Sequence, residues 1–165
     1  AEYAGALTAL GKRDEAMAAL APILQAYDTL PETYNLLGQT YLAAGQNDEA
    51  LAAFRRACRK GLLHDLPLSG MGRVYFLRRD YAAAVDCYQR AIVMNPNWDD
   101  LYQSMEETLA AWGQPDESVR VWQTLAELQP CERVTQHLAA AQTAAQAARG
   151  GPDTSGTSAT ERTLP

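Results

Sequence analysis

GQNDEA at residues 45–50 repeats GKRDEA at residues 11–16 after an interval of 34 positions, and that interval decides the fold. The phase carries on to RRDYAAA around Arg79 and to GQPDES from Gly113. Steps of 34 join Ala16, Ala50, Ala84 and Ser118, then Leu20, Phe54, Tyr88 and Trp122, then Ile23, Ala57, Ala91 and Leu125. Small residues recur with small and bulky with bulky. A period of this size belongs to stacked helical hairpins, in which small residues let two backbones approach and bulky ones fill the space a turn later.

The second repeat shows how the pattern becomes structure. Tyr34, Leu37, Gly38 and Tyr41 share one face of a helix, which Gly45 ends. Asp48 and Glu49 open the next helix, where carboxylates favour the positive end of the dipole, and Ala50, Phe54 and Ala57 form its buried stripe. In the third repeat the stripes are Leu68, Met71, Gly72 and Tyr75, then Ala84, Tyr88 and Ala91, with Pro96 closing the unit where a helix cannot continue.

These residues make the chain resemble a tetratricopeptide-repeat protein over residues 1 to about 132. The third repeat carries the pattern as Gly72, Tyr75, Ala84, Tyr88, Ala91 and Pro96. The resemblance implies an all-α, right-handed superhelix of about four hairpins plus a C-terminal capping helix. The expected division is a repeat array at 1–132 (about 1–30, 31–64, 65–98 and 99–132), a capping helix at 133–149 and a disordered tail or linker at 150–165. Two departures stand out. Glu106 replaces the small first-helix residue of the fourth repeat, and Pro22 lies inside the second helix of the first, predicting a bent or loose hairpin there.

Composition suits a thin core shared between neighbours, since there are 30 alanines and only two phenylalanines. No apolar stretch approaches the roughly 18 residues of a membrane span, so membrane insertion is not expected. The chain begins within the expected first helix, which points to a short helix or a missing upstream segment. The Gly, Pro, Ser and Thr from Gly150 onward cannot repay the entropy of ordering. The expected compartment is the cytoplasm, or the periplasm if a leader has been removed.

Three cysteines, Cys58, Cys87 and Cys131, and two histidines, His64 and His137, show neither CxxC nor paired-His spacing. They read as packing or surface residues, and no metal, cofactor or catalytic group is expected. SGMGR at 69–73 has the wrong context for a phosphate loop, because it lies within a helix and supplies Gly72 for packing. Gly70 is not required by the repeat; the missing side chain would let a ligand approach the backbone.

The net charge of −6 argues against nonspecific nucleic-acid binding. The charges are segregated, however. Seven of the 14 basic residues fall between Arg55 and Arg79 against Asp65 alone, whereas 99–132 carries eight acids against Arg120. Such segregation reads either as solvated helix faces, with basic residues gathered near helix C-termini where the dipole favours them, or as a groove basic in the middle and acidic toward the end, able to orient a peptide of mixed charge or to associate head-to-tail with a second copy.

The resemblance places a binding groove along the first helices of successive repeats. Their non-packing faces carry Asn35, Gln39 and Leu42, then Ser69, Gly70, Arg73 and Phe76, then Gln103 and Glu107. Asn and Gln can pair with a peptide backbone, Arg73 can hold a carboxylate, and Leu42 and Phe76 offer apolar contact. Relatives that clamp the acidic C-terminus of heat-shock chaperones use Lys, Asn and Arg where this chain has Ala1, Gly5, Leu36, Leu66 and Gly70, so that ligand is not expected. The expected function is a non-catalytic adaptor that binds a protein segment. The bacterial texture of the sequence leaves two narrower alternatives: a chaperone of a secretion or assembly system, and the substrate-recruiting region of a larger enzyme such as a glycosyltransferase.

Overall fold

The computed structural model describes residues 12–26, 30–61 and 65–149. Among these residues the chain forms eight helices and no strand: α1 Arg13–Ala26, α2 Pro31–Ala43, α3 Asn47–Lys60, α4 Asp65–Leu77, α5 Tyr81–Met94, α6 Asp99–Trp112, α7 Pro115–Leu128 and α8 Glu132–Arg149. The fold is therefore the expected all-α array of helical hairpins. No described helix is long and apolar enough to cross a membrane.

Three turns among the described residues share one device. Gly45, Arg79 and Gly113, spaced by the repeat length, all take positive φ, at 74°, 61° and 68°. After α2, Gly45 N–H donates to the Leu42 carbonyl and Gln46 N–H to Tyr41 at 3.0 and 2.9 Å. After α4, Arg79 N–H donates to Phe76 and Asp80 N–H to Tyr75 at 2.9 and 3.0 Å, so the two turns are the same structure. Asp80 then caps α5 by accepting the Ala83 N–H at 3.2 Å. Prolines open α2 and α7, and acids occupy the first turns of α6 and α7, where the helix dipole favours them. Pro22 lies within α1, which runs on to Ala26.

Packing follows the small-with-bulky pattern. Phe54 is wholly buried between two first helices: a Cβ on Gly38 of α2 would stand 2.6 Å from its ring, and one on Gly70 of α4 only 2.4 Å. One repeat later, Tyr88 of α5 lies against Gly72, where a Cβ would be 2.7 Å away. Ala50, Ala57, Ala84, Ala91 and Leu125 are buried as the register requires. The side chains of Ala16, Leu20 and Ile23 lie outside the described residues, as do His64 and the segment 150–165.

Buried threonines were not anticipated. Thr40 of α2 and Thr108 of α6 have no exposed surface, and each hydroxyl donates to the carbonyl four residues back, Leu36 at 2.9 Å and Ser104 at 2.7 Å. That bond satisfies the hydroxyl inside the core. Val74 occupies the equivalent place on α4, also fully buried, so one branched side chain serves all three helices.

The chain divides into two compact units, one up to Gln114 and the other from Pro115. In the first, consecutive helices pack from α1 to α6, and in addition α2 touches α4 and α4 touches α6. The backbones of the second helices α3 and α5 do not approach each other in this way. In the second unit α7 packs on α8, burying Val134, Ala141 and Ala145 of α8.

Candidate functional site

The direct contacts α2 to α4 and α4 to α6 make the first helices of the first unit a continuous layer. Along it, side chains one repeat apart fall into columns: Asn35, Ser69 and Gln103 in one, Gln39, Arg73 and Glu107 in the next, and Leu42 and Phe76 in a third. Each predicted residue is on one of these helices.

The structure joins four of the nine predicted residues in one cluster. Arg73 of α4 faces Glu107 of α6 with Nη1 3.8 Å from Oε2, both side chains about half exposed. The guanidinium also lies over the Phe76 ring, 5.2 Å from its centroid. Gln103 Nε2 donates to Glu107 Oε1 at 3.3 Å, holding that carboxylate to its own helix. Phe76 meets Tyr81 of α5 edge-on at 6.1 Å.

The other five are apart from this cluster. Gln39 is exposed, and Ser69 is half-buried. Leu42 is half-buried against the core of Ala50, Leu51, Phe54 and Val74, so it serves the interior as well as the surface. Asn35 is half-buried on α2, its Oδ1 shielded from solvent and without a hydrogen-bond partner among the described residues. Gly70 has a packing reason that the repeat pattern alone did not supply, since the Phe54 ring fills the place its side chain would take.

Near Arg73 is a feature that sequence reasoning missed. Tyr88 is almost wholly buried, and its hydroxyl hydrogen-bonds the Ser104 side chain of α6. Burial pushes this phenol up to about 12, and the nearby Arg73 and the Ser104 bond only partly oppose that. A step of 34 from Phe54 and Gly70 leads to Tyr88 and Ser104, so the contact could have been found in the register. In the earlier repeat a bare ring meets glycine; in the later one a phenol meets a hydroxyl.

The basic stretch is anchored as well as exposed. Arg56 and Lys60 of α3 both stand over the Tyr34 ring, at 4.4 and 5.6 Å. Arg55 donates to the Tyr75 hydroxyl at 2.9 Å, and Arg78 pairs with Asp48 across the repeat boundary. His137 of α8 has a structural place, stacked on Trp122 of α7 at 4.6 Å between ring centroids.

A turn repeated at a fixed interval, aromatic rings wedged against small residues and first helices in direct contact define a helical-repeat scaffold for protein interaction. The sequence profile of the tetratricopeptide repeat matches residues 4–61 and 35–99, together more than half the chain, and the chain belongs to that family. Two solved structures of MamA share its fold. The first, at 23% identity and a TM-score of 0.62, aligns over 85% of this chain and 82% of its own. The second, at 22% identity and a TM-score of 0.62, aligns over 87% of this chain and 79% of its own.

Proposed function

We propose that the chain is a non-catalytic adaptor that binds a peptide segment along the layer formed by α2, α4 and α6. The observation that carries this reading is the direct contact of those three helices, which aligns Asn35, Ser69 and Gln103 beside Gln39, Arg73 and Glu107. Two polar columns at helix-to-helix spacing offer a bound backbone repeated donors and acceptors, and Phe76 adds an apolar contact. The unpartnered Asn35 Oδ1 supports the same reading, because a shielded acceptor without a donor gains from an incoming N–H.

The test compares the full chain with an Asn35→Ala, Arg73→Ala, Phe76→Ala triple variant as baits in lysate of the source organism, with circular dichroism to establish that the variant folds. Bound proteins lost only from the variant are the expected result. Identical retention by both baits would refute the groove.

A further inference from the structure

We propose that Arg73 is a receptor for a ligand carboxylate, so that the groove selects segments with an Asp or Glu next to an apolar side chain, while Glu107 acts as a built-in competitor. This assignment rests on the groove reading and names the chemistry of its ligand.

A guanidinium has five N–H donors in a rigid fork matched to carboxylates. Among the described residues, Arg73 makes a charge contact with Glu107 and a cation–π contact with Phe76, and no hydrogen bond uses those donors. The 3.8 Å separation from Glu107 exceeds a charge-assisted hydrogen bond, which spans about 2.7–2.9 Å. The contact with the Phe76 ring restrains the guanidinium, so less freedom is lost when a carboxylate arrives.

Glu107 is differently placed. One oxygen already accepts from Gln103, and the other faces Arg73. A ligand cation seeking Glu107 would meet the guanidinium less than a side chain away, whereas a ligand anion on the open edge of Arg73 meets a full cation with free donors. Glu107 then repels that anion and competes for its site, which weakens binding without abolishing it.

The surroundings favour the same choice. Arg73 is the only cation in its column, between Gln39 and Glu107. Tyr88, buried against Gly72, lies near enough to feel the Arg73 charge, and its phenol stays neutral, so it does not compete for the guanidinium. Phe76, partly exposed beside the guanidinium, supplies the apolar neighbour.

The probe is a phage-displayed library of short random peptides selected on the full chain. Selected sequences are expected to share an acidic residue within one or two positions of an aliphatic or aromatic one. For a synthetic peptide of that sequence, Arg73→Gln should reduce affinity by about tenfold or more, because a charged hydrogen-bonded contact is lost. Arg73→Lys should bind more weakly than the parent, since it keeps the charge and loses the fork. Glu107→Gln should bind several-fold more tightly. Selection of basic or uncharged peptides, or weaker binding by Glu107→Gln, overturns the assignment. Peptides lost on Asn35→Ala or Phe76→Ala but indifferent to Arg73→Gln would sink the carboxylate receptor and leave the groove standing. Indifference to all three would sink both.

Discussion

Arg79 holds a left-handed backbone conformation that the equivalent places, Gly45 and Gly113, give to glycine. A residue with a Cβ in this region costs roughly 1–2 kcal/mol, partly offset by the greater freedom that glycine gains on unfolding. The Arg79 side chain is exposed and makes no hydrogen bond or ion pair among the described residues, so its removal forfeits little. Arg79→Gly is therefore expected to stabilise the chain by about 0.5–1 kcal/mol, and Gly45→Ala to destabilise it by a similar amount. Urea unfolding midpoints check both, and an unchanged or lowered midpoint for Arg79→Gly would remove the strain argument. The turn was legible in the sequence because RRDYAAA kept phase with GQNDEA. The role of Gly70 was not, because the ring that excludes a side chain there belongs to Phe54 of the preceding repeat, and a one-dimensional pattern does not show which helices meet.

At the scale of elements, an aromatic of α3, α5 and α7 reaches the helix that follows: Phe54 meets Gly70, Tyr88 meets Ser104, and Trp122 meets His137. Gly70 and Ser104 are one repeat apart, and His137 falls a single residue short of the next step, so by register α8 follows α7 as a further first helix would. The apolar stripe of α8 was readable from Val134, Ala141 and Ala145, all of which are buried; Leu138, read as part of it, is only half covered. The histidine stack was not readable, since nothing in the spacing distinguishes a ring that covers tryptophan from one that faces water. In the same way, Arg73 and Glu107 could each be placed on a first helix from the repeat, and their being 34 residues apart made them neighbours once those helices touched. If the stack fastens α8 to α7, His137→Ala should lower stability by about 0.5–1.5 kcal/mol, and Trp122→Ala by about 3–5 kcal/mol. Hydrogen exchange should then quicken in α7 and α8 first. No change in exchange for His137→Ala would mean that the rings lie together without holding the helices.

Across the whole molecule, stability should fall on the alkaline side through groups buried in their neutral forms. Burial pushes the Cys87 thiol up to about 11 from 9.0, with Asp86 adding to the shift, and burial likewise raises Tyr88 to about 12 from 10.0. Cys58, partly buried on α3, is raised for the same reason despite Arg90 and Arg59. In the unfolded chain these groups lose their protons near their ordinary values, while in the folded chain they keep them. The unfolded state therefore binds fewer protons from pH 9.0 upward, and stability falls as pH rises. The contribution is fully present below pH 9.0, erodes through the Cys87 window up to about 11, and erodes further between 10.0 and about 12 as Tyr88 enters. One such group changes the unfolding free energy by about 1.4 kcal/mol for each pH unit inside its window. At neutral pH the same burial leaves Cys87 a protonated, unreactive thiol. Urea midpoints measured from pH 8 to 10.5 should thus decline for the parent chain, and Cys87→Ala, though less stable at pH 8, should decline less steeply. Equal slopes would show that Cys87 ionises as freely in the fold as out of it, and that its burial places no constraint on its proton.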